Sequence, residues 1–379
     1  MAMKFCPIDT KHLFLFRCGA LVRPLDFIIS SAAVGIHRNQ ADTLKLRVHE
    51  YGGGKVKGRR LIAAVSKYSN PATDVVEAGD SEFLSTTGWK DFASNVSGEW
   101  DGFGAEFSIE GNPVELPESV VPEAYREWEV KVFDWQTQCP TLASPETYSF
   151  FYKSIKLLPT VGCEADAATQ YSVNERHIGG SNIIAYESSG SFVAVWINED
   201  NGSLELEHCL VNPRNKESRV RIIQALQVNK ERKLVLQNFR IFCEQWYGPF
   251  RNGDQLGGCS IRDSAFASTE ALKSSQVIGS WQGSHATASF QNSQLNTSFH
   301  EVKGEGLVKI VRDEHDLILL PKQLWCSYKE REGEFFFEAG WLVDRGQAIT
   351  SKCIFSSNAQ LKEIAIARET SLAEMEEKA

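Results

Sequence analysis

A five-residue phrase, Gly-x-Trp-x-Gly, occurs twice in this chain, as "GEWDG" from Gly98 to Gly102 and as "GSWQG" from Gly279 to Gly283. The two tryptophans, Trp100 and Trp281, stand 181 positions apart. The surroundings repeat as well. Each phrase follows a helix-like lead-in. Each is followed later by Leu-Leu-Pro (Leu157, Leu158, Pro159 and Leu319, Leu320, Pro321) and then by a closing segment with Arg and Glu (Arg240 and Glu244; Arg368 and Glu369). A phrase doubled in matching contexts implies one architecture built twice.

Between and beyond the phrases the apolar period is two, the period of strands. "SLELEHCLV" sets Leu204, Leu206, His208 and Leu210 against Glu205, Glu207 and Cys209, and "YREWEVKVFDW" sets Trp128, Val130 and Val132 against Glu129, Lys131 and Phe133. "SRVRIIQALQV", "KLVLQNFRIF", "GLVKIVRD", "QLWCSYKE", "EFFFEAGWLV" and "LKEIAIARE" continue the pattern. Turn signals such as "NEDNGS" and "QVNKERK" join them, so an antiparallel meander is expected. "GWKDFASNV" departs from it: Trp89, Phe92 and Val96 fall at helical spacing and predict a short helix before the first phrase. "SAFASTEALKSSQ" predicts a weaker one before the second.

Length sizes each unit. Residues 279–369 span 91 positions, room for one small barrel of about eight strands of about 5–6 residues joined by short hairpins. Residues 98–244 span 147, an excess of about 56, assigned to "IEGNPVELPESVVPEAYRE" and "TQCPTLASPETYS". A closing sheet needs a tight bend and a plug; glycine permits the first and tryptophan supplies the second. A cation over each indole completes the floor. The expected barrel-closing residues are therefore Gly98, Trp100 and Gly102 with Arg240, and Gly279, Trp281 and Gly283 with Arg368.

The order of helix, Gly-x-Trp, meander and late Arg resembles lipocalins and fatty-acid-binding proteins. More closely, "WKDFASNVSGEWDG", "RVRIIQALQV" before a strand ending in "FCE", "LILLPKQLW" and "FEAGWLV" resemble a plant and cyanobacterial family of unknown function with two tandem lipocalin-like (calycin) barrels. The resemblance covers about residues 83–370 and implies an all-β chain: two tandem antiparallel lipocalin-like β-barrels, each preceded by a short helix, behind a disordered N-terminal extension. It also implies a plastid setting and a lipid or tetrapyrrole ligand. It assigns no catalytic residue.

Charge divides the chain. Residues 1–70 hold twelve Lys/Arg against four acids, so this segment is +8 and the other 309 residues carry −17 of the net −9. A basic, acid-poor leader on an acidic body has the pattern of an organellar transit peptide, or of a basic arm. The expected divisions are a leader over 1–66, a linker over 67–82, barrel 1 with its insertion over 83–246, a linker with a short helix over 247–277, barrel 2 over 278–370 and a charged tail over 371–379, in a protein of the chloroplast stroma. Nine scattered cysteines without Cys-x-x-Cys or zinc spacing imply reduced thiols and no metal site. The acidic body argues against nucleic acid, and no apolar run reaches the roughly 20 residues of a spanning helix.

Candidate ligand-binding residues are polar or aromatic groups on apolar strand faces: His208, Trp196 and Tyr186 in the first unit, Glu338 and Trp341 in the second. His208 either meets a ligand inside the first barrel or is satisfied within a core. Glu338 shares a face with Phe336, Gly340 and Leu342. If that face points inward, Glu338 is a buried carboxylate with a raised pKa; if outward, Phe335, Phe337 and Trp341 form the lining. Three functions follow: a binding protein for a small hydrophobic or tetrapyrrole-like molecule, an enzyme of the cyclase, isomerase or lyase type acting through His208 or Glu338, and an assembly or scaffold factor for a photosynthetic complex. "RDEHD", Arg312 to Asp316, gathers acids around His315 but reads as a solvated hairpin tip.

Overall fold

The computed structural model describes residues 80–161, 169–198, 200–254, 265–290 and 298–373. The leader expected over 1–66 lies outside these residues, as do Cys6, Cys18, Cys163 and Cys259. At the first phrase, helix α1 (Asp80–Val96) ends and Gly98, at φ +147°, turns the chain into strand β1 (Glu99–Phe107). The Trp100 indole N–H donates to the Val96 carbonyl at 3.0 Å, satisfying one of the carbonyls a helix end leaves open. The second phrase repeats this: Gly279 has φ +115° and the Trp281 indole donates to the Val277 carbonyl at 2.7 Å. The helix expected before it is only a 3₁₀ turn, Ser274–Gln276. Adjacent serines favour caps and turns, and the buried residues of this stretch, Phe266, Ala267, Leu272 and Val277, do not recur every three or four positions, so no α-helical face is sustained.

The first sheet continues, after a short helix α2 (Glu123–Glu127), through β2 (Asp134–Gln138), β3 (Thr141–Ser144), β4 (Ser149–Leu157), β5 (Gln170–His177), β6 (Ile183–Tyr186), β7 (Phe192–Asn198), β8 (Ser203–Val211), β9 (Ser218–Val228) and β10 (Leu234–Gly248). β10 returns to pair with β1, in a register that sets Gly102 opposite Glu244. Two expectations change here. "YREWEVKVFDW" is no strand: α2 occupies its start, Glu129 takes φ 53°, and Trp128 stands 60% exposed before β2 begins at Asp134. "TQCPTLASPETYS", expected as part of the polar excess, is built into the sheet. It supplies the end of β2 and the whole of β3, interrupted at Pro140, which has no N–H to give a ladder.

The second sheet comprises β11 (Gly279–Ser289), β13 (Lys303–Arg312), β14 (Leu317–Leu320), β15 (Leu324–Arg331), β16 (Glu334–Asp344), β17 (Gln347–Phe355) and β18 (Leu361–Ser371), in the order β13-β11-β18-β17-β16-β15-β14. β12 (Phe299–Glu301) leaves it to pair parallel with β6 of the first sheet. The last strand again pairs with the first, and Gly283 stands opposite Glu369.

Both sheets curl. Arg176 on β5 forms an ion pair with Glu205 on β8, although six strand steps separate them along the ladder, and Arg312 on β13 reaches Glu338 on β16 at 2.8 Å. Among the described residues no ladder joins β5 to β6 or β13 to β14, so the all-β reading rests on two curled sheets. Their outer faces pack together: Leu206, Leu210, Val220, Ile222 and Ile241 meet Phe337, Ala339, Ile349, Cys353, Ile364 and Ile366 in one apolar core. Burial of such side chains contributes about 1.5–3 kcal/mol each. Helix α1 plugs one end of the first curl, with Trp89, Phe92, Ala93 and Val96 packed on Trp100, Phe150, Tyr186 and Phe192.

Candidate ligand-binding site

Strand alternation sends one set of side chains into the first curl, and that set is charged. β8 contributes Glu205 and Glu207, β9 Arg219 and Arg221, β10 Arg240 and Glu244, β5 Arg176, β4 Tyr152 and β7 Trp196. Their partners fix them. Arg221 donates to Glu207 at 2.8 Å and to Glu244 at 2.8 Å, Arg219 donates to Glu244 at 2.7 Å, and Glu207 also accepts from Trp196 at 2.7 Å and from the Tyr152 hydroxyl. Arg240 forms an ion pair with Glu205. Arg219 and Arg221 are buried to 1%. Such burial is tolerable only because each guanidinium meets carboxylate.

Burial opposes ionisation of Glu207 most strongly, yet Arg221 and Arg176, with the Tyr152 and Arg221 hydrogen bonds, outweigh it and hold its carboxyl below the usual range. Glu244 is lowered against its burial by Arg219 and Arg221, and Glu205 by Arg240 and Arg176. Burial, then the Glu207 charge, pushes the Tyr152 phenol well above its ordinary value, so it remains a donor.

Two cavities occupy the open end. An inner one of about 230 Å³ is lined by Lys156, Arg176, Arg221, Arg240, Tyr152, Ser154, Ser172, Asn174, Ile223 and Phe242. It shares Asn174 and Arg176 with an outer cleft of about 770 Å³, whose rim includes His177, Asn182, Trp196, Asn198 and Glu205. Four cations and no carboxylate line the inner cavity among the described residues.

The second curl holds a smaller version of the same network. Arg312 joins Glu338, at 2.8 Å, to Glu369, at 2.7 Å, and the Trp325 indole donates to Glu338 at 3.1 Å, as Trp196 does to Glu207. Arg312, expected in a solvated tip, is instead buried between the rings of Trp281 and Trp325, 5.6 and 5.3 Å from their centroids.

Of the residues singled out from sequence, Trp196 reaches the outer cleft. Tyr186 lies at the plugged end, 5.0 Å from the Trp89 ring and 4.9 Å from Phe92. His208 faces away from the curl, into the core between the sheets, where Nδ1 lies 2.8 Å from the Ser351 hydroxyl and burial lowers its pKa to about 4. Glu338 does point inward, but its carboxyl is lowered rather than raised: burial opposes the charge, and Arg312 outweighs it. Trp341 packs half-buried on the inter-sheet core. The glycines and tryptophans of both phrases hold the strand entrances, but the cations over the indoles differ from those expected. Arg219 lies 4.1 Å from the Trp100 centroid and Arg312 covers Trp281. Arg240 is drawn to Glu205, and Arg368 pairs with Glu187 across the sheets at 2.8 Å. Arg240 stands six residues along β10 from the partner of Trp100, and Arg368 stands three from the partner of Trp281, on the opposite face of β18. The missed residues are Arg176, Arg221, Glu205, Glu207 and Tyr152. A signal existed: "ELE" and "RVR" place like charges two apart on neighbouring strands, which gives two complementary charged faces.

Among the described residues no group of three or more His, Cys, Asp or Glu is placed to hold a metal ion, and no helix is long and apolar enough to cross a membrane. No family model and no curated protein matches this chain. Among solved structures, the chain is similar to a protein of unknown function from the DUF3598 family of Nostoc punctiforme, at 13% identity and a TM-score of 0.45, over 75% of this chain and 98% of that one. It also aligns with kievitone hydratase from Nectria haematococca, at 9% identity and a TM-score of 0.18, over 74% of this chain and 90% of that one.

Proposed function

We propose that this protein binds a small organic molecule in the open end of its first curled sheet. One observation carries the reading: two adjoining cavities of about 770 and 230 Å³ are walled by side chains from β4, β5, β7, β8, β9 and β10, and the opposite end of the curl is plugged by α1. Ligand pockets fall in the range of about 300–1,000 Å³ and combine a shaped wall with a few fixed polar groups. The lining departs from an entirely apolar ligand, because the inner wall is cationic and hydrogen-bonding; an aromatic or conjugated body suits the rim at Trp196. His208 and Glu338, on which catalysis by a barrel would draw, are committed to Ser351 and Arg312 and face neither cavity. A binding role therefore has more support than turnover. Lipocalin-like barrels and a plastid setting, implied by the basic leader, belong to the same proposal.

Purification of the mature chain from its native source, followed by mild ionisation mass spectrometry, tests it. A stoichiometric small-molecule adduct, reduced by Trp196→Ala, is the expected result. A chain that carries no adduct and takes up none from a native metabolite extract overturns the proposal.

A further inference from the structure

We propose that the ligand of this site carries one fixed negative charge, a carboxylate or sulfonate, seated in the inner cavity between Arg176 and Arg240; this rests on the binding function above. The first argument is the charge count. Four guanidiniums, Arg176, Arg219, Arg221 and Arg240, meet three carboxylates, Glu205, Glu207 and Glu244. Lys156, at 3.5 Å from Glu106, has its own partner. One positive charge is left without a counter-charge at the half-buried mouth of the curl, where Arg176 and Arg240 are 13% and 22% exposed and an entering anion can reach them.

The deficit lies at the outer pair of arginines. Arg221 uses Nε, Nη1 and Nη2 on Glu207 and Glu244. The two outermost arginines share the single carboxylate of Glu205. Arg176 Nη1 makes no hydrogen bond and lies 3.9 Å from Glu207, and Arg240 spends Nη2 on Glu205, the carboxylate it shares with Arg176. Arg176 and Arg240 both line the inner cavity, and no carboxylate among the described residues does. An anion that presents two oxygens there meets two guanidiniums, an arrangement that favours charge-assisted hydrogen bonds.

The test compares two fluorescent probes of one shape, 1-anilinonaphthalene-8-sulfonate and its uncharged counterpart N-phenyl-1-naphthylamine, titrated into the full chain at low salt. The sulfonate is expected to bind at least tenfold more tightly. Arg240→Gln should remove most of that advantage, and Glu205→Gln, which frees both arginines, should increase it severalfold. The two variants move the affinity in opposite directions, so misfolding does not imitate the result; near-ultraviolet circular dichroism checks the fold. Equal binding of both probes overturns the anion assignment and leaves the binding function standing. A sulfonate preference that neither variant alters overturns it too, since the charge is then read elsewhere. Binding of neither probe counts against both proposals.

Discussion

Glu244 stands directly opposite Gly102 in the β1–β10 ladder, and the same relation sets Glu369 opposite Gly283 in the other sheet. The second glycine of each phrase is thus where the backbone of the last strand comes closest. A Cβ on Gly102 would lie 1.9 Å from the Cys243 carbonyl oxygen, and one on Gly283 2.0 Å from that of Arg368. Neither carbonyl can retreat without moving the strand that carries the buried glutamate. Gly102→Ala and Gly283→Ala should each cost about 1–3 kcal/mol, read as a lower urea midpoint. Gly304→Ala, with open space around the added methyl, should stay within about 1 kcal/mol of the parent.

Ion pairs of this protein differ in worth according to burial. Glu244 neutralises two guanidiniums that have almost no contact with water. Glu244→Gln therefore leaves Arg219 and Arg221 short of a counter-charge, and a loss of about 3–5 kcal/mol is expected. Arg368 meets Glu187 through two hydrogen bonds of 2.8 Å but is 49% exposed. Arg368→Gln should cost less than about 1 kcal/mol, because solvent screens the pair. Urea unfolding of both variants checks the contrast.

The repeated phrase made the architecture legible because its residues act locally. Gly98 and Gly279 turn the chain, and each indole binds a carbonyl four residues back, so spacing alone points to them. Period-two alternation located β8, β9, β10, β13, β15, β16 and β18 for the same reason. The partners of the charged residues were not legible. Register decides between Arg219 and Arg240: Arg219 stands opposite Glu244, which stands opposite Gly102 beside Trp100, whereas Arg240 stands opposite Glu106, six residues past Trp100 along β1, and curvature then brings β5 and β4 over β8. Alternation divided β8 into two faces but could not say which face met the second sheet. His208 and the two glutamates consequently exchanged roles: the apolar face went to the inter-sheet core and the charged face to the cavity.

The buried thiols should be inert. Cys139, Cys209, Cys243, Cys326 and Cys353 are reduced thiols and buried. Burial, above all, pushes Cys139 up to about 11 and Cys209 and Cys326 to about 12, so almost no thiolate forms near neutral pH. Labelling of the native chain with an aromatic disulfide reagent, followed by peptide mapping, should leave these five unmodified until denaturant is added. Modification of any one in the native state would show that the core opens more readily than its packing implies.

His208 gives the inter-sheet core a pH dependence of its own. In the native chain burial holds its pKa near 4, against an ordinary 6.5. Between those values the unfolded chain takes up a proton that the native chain refuses, so stability falls as pH is lowered from about 6.5 to about 4, by about 3 kcal/mol at full extent. Glu207, Glu244 and Glu338 have the opposite displacement. Their folded pKa values lie below the ordinary 4.5, so their contribution persists above that pH and is lost only beneath it. The two effects separate in a difference experiment. His208→Gln keeps a side chain able to meet the Ser351 hydroxyl but cannot titrate. Urea unfolding at pH 7.0, 5.5 and 4.5 should show the parent losing stability relative to the variant across that interval, with the carboxylate contribution common to both. Parallel pH profiles for the two chains would mean that His208 is protonated in the fold, and that the core between the sheets is wetter than its packing indicates.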